Sequence, residues 1–98
     1  MKIEKTGLVY ETAKIEWRAL QRFYAQGNVM HVASKLDLVR VATAFLHDDV
    51  AAVGAWQAAG QVRKVDDAQA LQWFESDAQV WAVTVAPFVL VQSIHSKN

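Results

Sequence analysis

The chain has no cysteine, one proline, four glycines and no surplus of charge of either sign. Without cysteine there is no disulfide scaffold, no zinc–thiolate or iron–sulfur centre and no thiol nucleophile. Ten Lys and Arg balance ten Asp and Glu. That balance lacks the basic excess on which nucleic-acid binders depend for phosphate contacts, and the high net charge that accompanies disorder. No apolar run reaches the roughly 18 residues of a membrane span. The opening Met1-Lys2-Ile3-Glu4-Lys5 has no apolar core behind it, so no signal peptide is expected. Gly7, Gly27, Gly54 and Gly60 are isolated and form no phosphate-cradling loop. No Gly-x-Ser-x-Gly elbow occurs either. These absences point to a cytoplasmic globular protein, and away from an enzyme, a cofactor carrier or a membrane protein.

What is present is apolar. The 98 residues are 53% hydrophobic, enough for the core of one domain over residues 1–98. An ordered core is expected over about 8–92, with a fraying tail at 93–98. Residues 8–26 fit a helical period, with Glu11, Lys14, Arg18, Gln21 and Arg22 on a narrow polar stripe and an unusually wide apolar arc opposite. Gly27 is placed to end that helix with a positive φ. Residues 29–33 suit a strand. Ser34 is positioned to cap a strongly amphipathic helix over 35–47, with Leu38, Val41, Ala42 and Phe45 on one face and Asp37, Arg40, Thr43 and His47 on the other. Asp48 and Asp49 read as cap and first-turn acid of a third helix rich in alanine and ended by Gly60. Residues 61–65 alternate as a strand. Asp66 with Gln69 reads as a capping box opening a short helix through Trp73. Residues 80–91 carry the strongest β pattern, apolar on both faces, with Pro87 marking an edge, bulge or bend.

The expected class is therefore α+β: three to four helices around a small sheet of three to four strands, in the order α-β-α-α-β-α-β, the last strand either single and bent or double. That order is similar to a winged helix. Three stretches also resemble a family of short bacterial proteins known only as a domain of unknown function. They are Glu11-Thr12-Ala13-Lys14-Ile15 with Trp17, then Leu36-Asp37-Leu38-Val39, then Trp81-Ala82-Val83 through Val85-Ala86-Pro87 and Val89-Leu90-Val91-Gln92. The resemblance implies a bacterial cytoplasmic setting and one compact domain. It carries over no catalytic residue, cofactor or ligand site.

Function must then be read from the unusual residues. Trp17, Trp56, Trp73 and Trp81 are many indoles for a chain this short; such side chains either fill the core or, being enriched at contact surfaces, mark an interface. The wide arc of the first helix asks for cover. A non-enzymatic interaction or self-associating module is expected, dimeric or bound to another protein, with Tyr10, Trp17, Leu20 and Tyr24 as its contact face. A second candidate is a ligand pocket around Glu16, which falls inside the apolar arc unless the helix breaks or starts near it and makes it a first-turn acid before Trp17, and His31 on an apolar strand. A third is a winged-helix protein that has lost or relocated DNA binding, since the helix that would enter the groove holds Asp48 and Asp49 and no cation. No metal site is expected: His31, His47 and His95 show no ligand spacing.

Overall fold

Alternation from Gln79 to Ser93 turns into the middle of a five-stranded sheet. The computed structural model describes residues 12–94. The chain runs β1 (Ala13–Glu16), a 3-10 turn (Trp17–Leu20), α1 (Gln21–Ala25), β2 (Val29–Val32) and α2 (Leu38–Leu46). It continues through α3 (Val50–Ala58), β3 (Val62–Lys64), α4 (Asp67–Glu75), β4 (Gln79–Val85) and β5 (Phe88–Ser93). The strands lie in the order β1-β4-β5-β2-β3. β2 and β5 run parallel, and every other neighbouring pair is antiparallel.

Period-two alternation divides the core into two layers. On one face Val29, Val80, Ala82, Val89 and Val91 meet Trp17, Leu20, Ala70 and Trp73 from the 3-10 turn and α4. On the other, Met30, Val32, Val83, Val85 and Leu90 meet Leu38, Val41 and Ala42 of α2. β4 and β5 are thus covered on both faces, as their doubly apolar pattern requires. They are two strands, and Ala86–Pro87 occupies the turn between them.

The class is α+β as expected, with one strand more than anticipated. The extra strand is β1, and it corrects the long first helix. Ala13 to Glu16 pair antiparallel with Gln79 to Ala82. Ile15 packs on the Trp17 layer, while the Lys14 ammonium sits 5.3 Å from the Trp81 ring on the opposite face. This is a period of two, not 3.6. The apolar arc is too wide for one helix because the segment is not one helix. Lys14, Arg18 and Arg22 consequently form no common stripe: Arg18 reaches Asp77 at 3.1 Å and stacks on Phe74, and Arg22 lies over Phe23. Residues 8–11, which open the expected helix, and residues 95–98 of the expected tail lie outside the described residues.

The winged-helix likeness stops at the order of elements. A wing needs β3 and β4 to pair as a hairpin, whereas β3 pairs with β2, and β4 with β1 and β5. Caps shift by one or a few residues. Asp37, rather than Ser34, caps α2, accepting from the amides of Val39 and Arg40. Asp48 takes φ 54° after α2, and Asp49 caps α3 through the Ala52 amide. Asp66 caps α4 through the Gln69 amide, and Gly27 takes its positive φ, both as the sequence predicts.

Candidate functional site

The expected contact face is largely core. Trp17 is fully buried and Leu20 nearly so, because the 3-10 turn drops both onto the sheet. The Trp17 ring lies 5.0 Å from that of Trp73 and 5.5 Å from that of Tyr24. Tyr24 is half-buried, and its hydroxyl donates to the Asp67 carboxylate, which holds the phenol protonated above its usual range. Tyr10 lies outside the described residues.

Glu16 and His31 are not brought together. They sit on β1 and β2 with β4 and β5 between them, three strand spacings or roughly 14 Å. Glu16 is exposed at the end of β1, opposite Gln79. His31 is half-buried, edge-on to Trp73 at 5.1 Å, beside a cavity of about 240 Å³ that Arg63, Gln61 and Ser93 also line. Burial, helped by the Arg63 guanidinium and opposed by Asp66, lowers its pKa below the usual histidine range. The folded state therefore takes up this proton less readily than the unfolded chain, and stability falls as pH drops through the ordinary histidine range toward the lowered value. Urea unfolding at pH 7.5 and 5.5 should show this loss in the native chain and a smaller one in His31→Gln.

The feature that sequence reasoning did not assemble is the α2–α3 hairpin. Arg40, Thr43, Ala44 and His47 recur at helical spacing along one side of α2. α3 folds back beside them, with Asp49 at its start and Ala52 and Trp56 facing inward. Between the two helices lies a cleft of about 510 Å³, lined by these residues and Asp37. The polar face of α2 was legible in the sequence. That α3 would wall it was not, because α3 carries no charge and only one polar side chain, Gln57, and so gives little direction to its packing.

That lack of direction has a second consequence. Helix α3 has no buried residue. Ala52, Val53 and Trp56 are half-buried toward α2 and β3, while Val50, Ala51, Gly54, Ala55, Gln57 and Ala58 face outward. No charged side chain occurs from Val50 to Val62. Among the described residues no cluster of His, Asp and Glu could hold a metal ion, and no helix is long and apolar enough to cross a membrane.

Comparison with known proteins gives a family and one solved relative. The family described as "Protein of unknown function (DUF2288)" matches residues 4–93. The solution NMR structure of PA1075 from Pseudomonas aeruginosa is similar, with 43% sequence identity and a TM-score of 0.81. The match covers 90% of this chain and 82% of that one. No curated protein matches.

Proposed function

The chain belongs to the DUF2288 family, whose description assigns no activity, and we propose that it is a non-enzymatic module that self-associates, two copies meeting through the outward face of α3. The observation that carries this is a nine-residue helix with no charge and no buried residue. A helix this apolar, with Gln57 its one polar side chain, is ordinarily an interior one. Here Val50 is 78% exposed.

Gly54 supports the same conclusion. Its φ is not positive, and a Cβ built on it would meet nothing within 4 Å. Within the protomer, then, neither backbone conformation nor crowding calls for glycine, although glycine costs a helix about 1 kcal/mol relative to alanine. With Ala51, Ala55 and Ala58 it leaves a low surface on which a second helix can lie closely. A second copy is the favoured occupant because the chain carries no net charge to hold copies apart, and two-fold dimers are the commonest assemblies. Association by strand addition is the less favoured route. The edge strands β1 and β3 carry Lys14 and Glu16, and Arg63 and Lys64, which blunt them.

Sedimentation equilibrium at micromolar concentrations should give a dimer. Gly54→Glu should give a monomer that remains folded, since the site faces open space. Gly54→Ala should move two readouts in opposite directions, strengthening the helix while weakening association. A native chain that stays monomeric up to millimolar concentration would overturn the proposal, as would a dimer indifferent to Gly54→Glu.

A further inference from the structure

We propose that the cleft between α2 and α3 is a binding site for a small planar monocarboxylate, with Arg40 pairing the carboxylate and the Trp56 indole carrying the ring. This goes beyond self-association and does not depend on it. Around α3, Ala52 and Trp56 point well away from Gly54 and Ala58, so the cleft and the outward face occupy different sides of the helix.

The first support is an unused guanidinium. Arg18 has Asp77 and Phe74, Arg22 has Phe23, and Arg63 has Asp66. Arg40 has no ion pair, side-chain hydrogen bond or ring contact with any described residue. Asp37, three residues before it, lines the same cleft without taking it up. One oxygen of that carboxylate already accepts from the amides of Val39 and Arg40. A guanidinium fork that lines a cavity, unpaired among the described residues, matches a carboxylate in shape and charge.

The second support is the wall. Trp56 is half-buried and presents a flat apolar surface, continued by Ala44 and Ala52. The volume of about 510 Å³ lies within the range of small-molecule sites. His47 lies seven residues from Arg40, roughly 10 Å along the helix, and gives the far end a polar boundary.

The charges narrow the ligand further. Asp37 and Asp49 both line the cleft. A phosphate dianion would meet two carboxylates with one guanidinium to offset them. A monocarboxylate brings one negative charge instead of two, so it meets less repulsion from Asp37 and Asp49 while it pairs with Arg40, and it can keep its uncharged ring toward Trp56.

Benzoate titrated into the folded protein, followed by amide and indole N–H chemical shifts, is the test. Saturable shifts should centre on Arg40, Ala52 and Trp56. Arg40→Gln should weaken binding about tenfold or more, the loss of one charge-assisted pair, and Arg40→Lys should fall between. Trp56→Leu should weaken benzoate binding, while acetate and inorganic phosphate should not saturate with either protein. Arg40 is exposed, so its variants should fold as the native chain does. Absence of saturable shifts at tens of millimolar benzoate, equal binding by Arg40→Gln, or phosphate binding in preference to benzoate would each overturn the assignment. None of these outcomes bears on whether α3 mediates a dimer, which sedimentation reads separately.

Discussion

Trp17→Ala is expected to lower stability by about 3–5 kcal/mol, the usual cost of emptying a large aromatic site in a core. For a small domain that is most of the available stability, since natural domains hold only about 5–15 kcal/mol. Trp17 has no exposed surface and touches Trp73, Tyr24 and the strands beneath. Its backbone amide also donates to the Ala78 carbonyl at 2.9 Å, tying the start of the 3-10 turn to the residue that leads into β4. Thermal unfolding by circular dichroism should show a largely unfolded chain at 37 °C. Trp17→Phe should be milder. The indole N–H has no hydrogen-bond acceptor within the described fold, and an unsatisfied buried donor costs about 1–3 kcal/mol. Removing that N–H offsets part of the lost volume. If Trp17 were instead a contact residue, alanine would change the mass in solution and leave the melting curve where it was.

Leu90→Ala tests the opposite layer. Leu90 is fully buried on the middle strand and faces Met30, Val41 and Val83. The expected loss is about 2–5 kcal/mol, with the upper part of the range favoured because a covered central strand cannot collapse into the gap. At about 4–8 °C per kcal/mol for a domain of this size, the melting temperature should drop by ten degrees or more. Leu71→Ser provides the contrast: Leu71 is 56% exposed on α4, and its replacement should move the curve little.

The parts of the fold that could be read in advance share one property: each has a pattern with a direction. β4 alternates with a period of two, large Trp81, Val83 and Val85 against small Ala82 and Thr84, and it forms as read, covered on both faces. α2 places Leu38, Val41 and Ala42 on one side and Arg40 and Thr43 on the other, and it packs accordingly. Asp66 and Gln69 open α4 as their spacing demands. The failures are segments whose pattern fits more than one period. Ala13-Lys14-Ile15-Glu16 is too short to separate a strand from a helical turn, and joined to the helical residues after it the whole segment passes as one helix. Its partner in the sheet, β4, lies more than sixty residues away, so only tertiary pairing decides the matter. Trp17 takes the core alternative for the same reason, since a change of element at Glu16 turns its side chain onto the sheet. Glu16 and His31 were linked only by being odd polar residues in apolar surroundings. Sheet order, which no local pattern encodes, holds them apart. Arg40 and His47 were visible on the polar side of α2, but a cleft needs a second wall, and the wall is the helix whose sequence gives no facing.

The strand that reaches completion last among those described is the one in the middle. Until Phe88 to Ser93 are in place, the sheet has only two separate antiparallel pairs, β1 with β4 and β2 with β3. On a ribosome the earlier elements must wait for their keystone, and a transcript cut short before codon 88 yields fragments with bare apolar edges rather than a smaller version of the domain. Quality-control proteases should therefore clear such truncations wholesale, and tolerance to shortening should begin only beyond this strand.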